Sequence, residues 1–181
     1  MSWRVVFGGP CRQVVGGEPV RYINLPIEEL RKYAKAELDG GRAVWFGCDV
    51  GKYLHRKLGV MDLDVLDYDL VFGTTPHEMD KATRLRYGES LMTHAMVFTG
   101  YDAASARAGG VGKWRVENSW GDKDGDKGYY IMTDAWFDQY LYQIAVGRAR
   151  LAPEVAAVLA QEPVVLPPWD PMGSLACSSR I

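Results

Sequence analysis

The chain has 181 residues, of which 48% are hydrophobic and 24% are charged. This length suits one domain with a substantial core, and the composition is that of an ordinary globular protein. The net charge of −2 shows no excess of basic residues of the kind found in nucleic-acid-binding proteins. Every apolar run is shorter than the roughly 20 residues that a membrane helix needs.

The cysteines point to a reducing compartment. Cys11, Cys48 and Cys177 are too few, and odd in number, for a disulfide framework. No spacing among them and the three histidines suggests a zinc site. The first ten residues lack the apolar core and cleavage site of a signal peptide. We therefore expect a cytoplasmic protein without a bound metal.

In the first half of the chain, one segment predicts a helix. Apolar residues recur on one face from Pro26 to Leu38, and the glycine pair at 40–41 would end the helix. The apolar run from Ala43 to Phe46 predicts a short buried strand. Residues 1–13 show no clear pattern. Between Lys52 and Arg86 the pattern is mixed and favours loops and short helices.

The second half predicts mostly strands, separated by turns rich in Gly and Asp. The predicted strands run from His94 to Tyr101, Lys113 to Asn118, Gly128 to Met132 and Tyr142 to Arg148. Thr133 is expected to cap a helix over residues 134–140, and a further helix is predicted over residues 153–161. The Asp-rich segment 122–128 favours a hairpin turn, because its glycine is misplaced for an EF-hand.

Two reactive side chains stand at strand ends. His94 opens one predicted strand and Asn118 closes the next. A histidine oriented by an amide oxygen is half of a thiol-protease site. Taken alone, each residue also has an ordinary interpretation, a core histidine for His94 and a turn former for Asn118.

Four motifs carry a family resemblance. VENSWG at residues 116–121 resembles the asparagine motif of papain-like cysteine peptidases. Together with WFGCDVG at 45–51, GESLMTHAM at 88–96 and WDPMG at 169–173, it resembles the bleomycin hydrolase family. The resemblance covers roughly residues 14–176 and corresponds to the C-terminal portion of longer members.

The resemblance implies an α+β fold of the papain type. In that fold a mainly helical lobe holds the cysteine, and a β-barrel-like lobe holds the histidine and asparagine. This chain resembles the second lobe with flanking helices. We accordingly divide it into a lead at residues 1–13, the lobe at 14–172 and a tail at 173–181.

The resemblance also implies roles for residues and partners. His94 would act as general base and acid, Asn118 would orient it, and the indole of Trp120 would shield their hydrogen bond. The implied substrates are peptides or small amides with a free N-terminus, with bleomycin and homocysteine thiolactone in the family. The family uses no metal or organic cofactor and assembles into hexamers. Neither a membrane nor a nucleic acid is expected as partner of this chain.

The nucleophile is not evident in the sequence. Cys48 follows a strand-like run rather than opening a helix, so we interpret it as structural. Cys177 lies in the tail, where residues 177–181 would move the terminal carboxylate beyond its family position. The alternatives are a non-catalytic fragment or isoform that acts by binding or assembly, and an incomplete sequence whose nucleophile is encoded upstream.

Overall fold

The structure is a computed structural model that describes residues 4–7, 21–73, 79–104 and 112–172. For residues 4–7 only the backbone is described. The tail predicted at 173–181, with Cys177, lies outside the described residues, as do Cys11 and His77.

A seven-stranded sheet forms the centre of the fold. Its strands are β3 (Val44–Cys48), β4 (Leu54–His55), β5 (Val60–Met61), β6 (His94–Asp102), β7 (Lys113–Glu117), β8 (Tyr129–Thr133) and β9 (Leu141–Ile144). They lie in the order β4-β5-β8-β7-β6-β3-β9, and the β5–β8 pair alone is parallel. The strands predicted for the second half of the chain thus form part of one mostly antiparallel sheet.

A second sheet joins distant parts of the chain. β1 (Arg4–Phe7) pairs antiparallel with β2 (Arg21–Asn24) and parallel with β10 (Val164–Val165). Sequence analysis assigned no strand to any of these segments. Strands of two to four residues carry too little alternation to be recognised, and their pairing partners decide their structure.

Five α-helices lie among the described residues. They are α1 (Ile27–Asp39), α2 (Tyr68–Phe72), α3 (Lys81–Arg86), α4 (Asp134–Tyr140) and α5 (Pro153–Val158). The predicted apolar face of α1 is confirmed, because Ala34 is fully buried and Ile27, Leu30 and Leu38 pack against the core. The predicted cap of α4 is also confirmed, since the Thr133 hydroxyl accepts a hydrogen bond from the Trp136 amide.

One strand prediction was too long. We predicted a strand from Tyr142 to Arg148, but β9 ends at Ile144, and residues 148–150 form a 3-10 turn. Gly147 begins that turn, and its amide donates to the buried carboxylate of Glu37 at 3.0 Å. The Gly147 N–H, which a longer strand would have used for pairing, is thus bonded to a side chain of α1.

Stacked aromatic rings fill the core between the sheet and the helices. Phe46 of β3 lies 4.0 Å from Phe98 of β6, measured between ring centroids, and Phe98 lies 4.8 Å from Trp114 of β7. Trp114 in turn stacks on Phe137 of α4 at 4.9 Å. All four side chains are fully buried, so this stack holds α4 against β3, β6 and β7. His94 begins β6, and Asn118 directly follows β7.

Candidate functional site

The sheet brings His94 and Asn118 to one edge. His94 is the first residue of β6, and Asn118 directly follows β7. The two strands are antiparallel neighbours, with Val97 opposite Glu117, so the start of one lies beside the end of the other. The proximity predicted from the sequence is confirmed, although the residues are 24 positions apart.

A hydrogen bond joins the two side chains. His94 Nε2 lies 2.9 Å from Asn118 Oδ1. The same amide oxygen accepts from the backbone N–H of Ser119 at 2.8 Å, which fixes the orientation of the amide. Because an amide oxygen only accepts, Nε2 must carry a proton, and Nδ1 of the neutral ring then keeps a free lone pair. The ring is therefore arranged to take a proton at Nδ1.

Trp120 packs against the histidine. Its ring centroid is 4.8 Å from that of His94, with 31° between the ring planes. The indole is 36% exposed, so one part of it covers the imidazole while another part meets water. An apolar ring in this position limits the access of water to the imidazole.

The guanidinium of Arg56 contacts the same indole. Its Cζ lies 4.8 Å from the Trp120 ring centroid, and its Nε donates to Asp124 Oδ2 at 2.5 Å. The side chain thus links the β4–β5 hairpin to the turn that follows Asn118. A cation over an indole contributes about 0.5–1 kcal/mol at an exposed site. Sequence analysis missed this residue, because no local pattern marks a contact between segments so distant in the chain.

Two glycines allow that hairpin to approach the turn. Both adopt positive φ angles, 66° at Gly59 and 63° at Gly125. A Cβ atom on Gly59 would lie 2.6 Å from the Cα of Gly125, and one on Gly125 would lie 2.3 Å from the Tyr129 carbonyl oxygen. Any side chain at either position would push the hairpin, and Arg56 with it, away from Trp120.

Cys48 lies on the strand next to His94 but is inaccessible. It pairs with His94 in the β3–β6 ladder, and its side chain is fully buried. Burial raises the pKa of its thiol strongly, and the neighbouring Asp49 carboxylate raises it further. These properties agree with the structural role that the sequence predicted for this cysteine.

The described part of the chain offers neither a cluster of metal ligands nor a helix that could cross a membrane. No group of three or more His, Cys, Asp or Glu residues there is arranged to hold a metal ion. No helix within the described ranges has the length and apolar character needed to cross a membrane.

Comparisons with known proteins identify the family. A family model described as the Peptidase C1-like family matches residues 9–173. The chain is 53% identical to bleomycin hydrolase from Homo sapiens over 163 residues, which cover 90% of this chain and 36% of that protein. It is 45% identical to aminopeptidase C from Lactococcus lactis over 179 residues, which cover 97% of this chain and 39% of that protein.

A solved structure shows the same architecture. The crystal structure of PepW from Lactobacillus rhamnosis superposes with a TM-score of 0.82 at 42% identity, covering 94% of this chain and 41% of that one. The chain spans little more than a third of the length of the curated relatives it matches. The fold and these similarities agree, and the chain belongs to the Peptidase C1-like family.

Proposed function

We propose that this chain supplies the imidazole and amide half of a cysteine aminopeptidase site of the bleomycin hydrolase and aminopeptidase C kind. The observation that carries the proposal is the 2.9 Å contact between His94 Nε2 and Asn118 Oδ1 under the Trp120 ring. By resemblance, the substrates are peptides or small amides with a free N-terminus, and no metal or organic cofactor takes part.

In the proposed reaction His94 takes up and returns one proton in each of two stages, the formation of a thioester and its hydrolysis. Nδ1 takes the proton of a cysteine thiol, and the thiolate attacks the carbonyl carbon of the scissile amide. The imidazolium then returns the proton to the leaving amine, which departs and leaves a thioester. Water, deprotonated by the same nitrogen, hydrolyses the thioester and regenerates the thiol. Asn118 holds the ring through Nε2 in both steps.

The thiol that this reaction needs is not Cys48. A fully buried thiol with a raised pKa forms little thiolate and cannot reach a substrate. Cys11 and Cys177 lie outside the described residues. By resemblance, the nucleophile belongs to the mainly helical lobe, and no segment of this sequence resembles the helix that carries it. We therefore predict that the isolated chain has no aminopeptidase activity.

A second candidate function is binding or assembly without catalysis. The burial of Cys48 favours it for the isolated chain, because Cys48 is the sole cysteine among the described residues. Hexamer formation and a cytoplasmic location, both implied by the family resemblance, remain predictions.

A chimera with a longer relative tests the proposed reaction. The part of human bleomycin hydrolase that is not aligned to this chain is joined to residues 14–181, and hydrolysis of an aminoacyl coumarin amide is measured. We expect turnover, with loss of about 10²–10⁴-fold in His94→Ala because general acid–base catalysis contributes that much. Asn118→Ala removes a hydrogen bond to a group that becomes charged, worth about 1.5–3 kcal/mol, and should cost roughly 10- to 100-fold.

The controls separate the two candidate functions. In the chimera Cys48→Ala should retain activity within about twofold if it folds normally. The unmodified chain should show no turnover at all. Turnover by the unmodified chain that disappears in Cys48→Ala would overturn our view of that cysteine. A folded chimera that is inactive, or one indifferent to His94→Ala, would favour the non-catalytic candidate.

A further inference from the structure

A buried carboxylate lies behind the candidate site. Asp49 directly follows β3, and 4% of its surface is exposed. Among the described residues no lysine, arginine or histidine forms an ion pair with it. A buried and unpaired charge is costly, so its hydrogen-bond donors must compensate for the lost water.

Hydroxyl groups provide that compensation. Ser90 Oγ lies 2.7 Å from Asp49 Oδ2, and Thr93 Oγ1 lies 3.4 Å from Asp49 Oδ1. The hydroxyl of Tyr142 lies 2.6 Å from Ser90 Oγ. An ionised carboxylate only accepts, so the single proton of Ser90 points to Asp49, and Tyr142 must donate to Ser90. The direction of every bond in this chain of donors is thereby fixed.

The network holds the residues that lead into His94. Ser90 and Thr93 belong to the segment between α3 and β6, and His94 is the next residue. The Thr93 amide donates to the Cys48 carbonyl at 2.9 Å, while the Thr93 hydroxyl accepts from the Val50 amide at 3.2 Å. Both the backbone and the side chain of Thr93 are therefore attached to the end of β3.

The backbone of Asp49 is also held in place. The Asp49 amide donates to the Tyr140 carbonyl at the end of α4, at 3.0 Å. Tyr142 belongs to β9, which pairs with β3. Asp49 thus bonds directly to α4 and to the segment before β6, and it connects to β9 through Ser90 and Tyr142.

We propose that Asp49, through Ser90 and Thr93, is a positioning residue for His94. Through these hydrogen bonds the buried carboxylate fixes the position of the segment before β6 relative to the end of β3. This keeps the imidazole of His94 within hydrogen-bond reach of the Asn118 amide. Asp49 does not touch the substrate or exchange a proton. The inference rests on the proposed function for its importance to catalysis, but the positioning itself is measurable without turnover.

The test follows the Nε2 proton of His94 by nitrogen-15 NMR of the intact chain. Ser90→Ala removes the central donor, and Asp49→Asn keeps the shape of the side chain but not its charge. We expect the Nε2 proton to exchange with water about tenfold faster in either variant, because the loss of a hydrogen bond to a buried charged group loosens the segment that positions the ring. The two ring nitrogen shifts should also move toward a mixture of tautomers.

Two comparisons keep the result specific. The exposed carboxylate of Asp64 makes no described side-chain bond, so Asp64→Asn should leave His94 unchanged. Amide protection of Val116 in β7 reports whether a variant has lost the fold as a whole. A merely structural role for Asp49 would lower the urea midpoint of unfolding without altering the His94 signals of the folded protein.

The mildest variant decides the outcome if the others fail to fold. Tyr142→Phe removes a single hydroxyl at the outer end of the network, and it should speed exchange by a smaller factor in the same direction. If every folded variant keeps the exchange rate and ring shifts of His94 within twofold of the original, the proposal is wrong. A folded chimera in which His94 keeps the ring signals of the parent chain but shows no peptidase activity would instead count against the proposed function.

Discussion

At the scale of single residues, the histidine depends on its apolar cover. Trp120 packs against His94, and the guanidinium of Arg56, in the β4–β5 hairpin, contacts the Trp120 ring. We predict that Arg56→Ala loosens the indole, because the ring loses the cation that restrains it. The measurement is the indole N–H signal of Trp120 in nitrogen-15 NMR, which should broaden or shift, together with the ring signals of His94.

Two further substitutions distinguish the contact between Arg56 and the indole from the ion pair between Arg56 and Asp124. Arg56→Lys keeps a positive charge near the ring and should preserve part of the effect. Asp124→Ala removes the ion pair with Arg56 but leaves the guanidinium beside the indole, so it should disturb Trp120 less than Arg56→Ala does. Equal disturbance by Asp124→Ala and Arg56→Ala would show that the ion pair, not the ring contact, is what matters.

Cys48 gives a second prediction at this scale. In a Cys11→Ser, Cys177→Ser background, Cys48 is the only thiol in the chain. Because it is fully buried and its thiol pKa is raised, it should react with a disulfide reagent at pH 8 at least about 100-fold more slowly in the folded protein than in urea. Rapid labelling of the folded chain would contradict the burial of this residue.

Residues could be placed from the sequence where a recognisable apolar run lies directly beside them in the chain. His94, Asn118 and Cys48 could be assigned to strand ends from the apolar runs beside them. Arg56 and Asp49 could not be assigned. Their partners are Asp124, 68 positions away, and Ser90, 41 positions away, and only the folded sheet brings these together. Long-range polar contacts of this kind leave no periodic signal in a sequence.

At the scale of elements, Lys81 joins two helices. It begins α3, and its ammonium donates to the carbonyls of Asp138 and Leu141 at the C-terminal end of α4. A cation at this place satisfies carbonyl groups that a helix end leaves without partners. Burial nevertheless lowers the pKa of Lys81 to about 8, more than the nearby Asp138 carboxylate raises it.

This lowered pKa predicts a pH dependence of stability. The ordinary pKa is 10.5, so between about pH 8 and 10.5 the unfolded chain holds a proton that the folded chain has released. The free energy of unfolding contributed by Lys81 should therefore rise with pH through this window and stay constant below it. Urea unfolding of the parent and of Lys81→Met between pH 7 and about 9.5 tests this, through the difference between the two free energies.

The comparison with Lys81→Met cancels other titrations. Cys48 has a raised pKa when folded, so its own contribution falls as pH rises, but it does so equally in both proteins. A difference that stays flat across the window would mean that Lys81 keeps its ordinary pKa in the folded state.

The elements that sequence reasoning identified are those with enough length to show a period. α1 has 13 residues with one apolar face, and β6 has nine residues that begin at the predicted histidine. β4, β5 and β10 have two residues each and were missed. Their structure comes from pairing, as when β5 adds to the edge of β8 in parallel, which no local sequence property reveals.

At the scale of the whole molecule, apolar side chains gather on α2. Leu70, Val71 and Phe72 are 83%, 69% and 70% exposed, and Leu66 just before the helix is 54% exposed. Single exposed apolar residues are ordinary, but several on one short helix favour association. Each such side chain that becomes fully buried contributes about 1.5–3 kcal/mol.

We predict that the isolated chain associates through α2. At high concentration the parent chain should sediment faster than a 20.2 kDa monomer, and the double variant Leu70→Glu, Phe72→Glu should sediment as a monomer.

The matched control is Leu58→Glu, Val165→Glu, which adds the same charge at two exposed apolar positions outside α2. Because all four side chains are at least 64% exposed, neither variant should lower the free energy of unfolding by more than about 0.5 kcal/mol. If both double variants abolish association equally, added charge rather than α2 is responsible. A parent chain that stays monomeric at every concentration would show that this surface alone does not drive assembly.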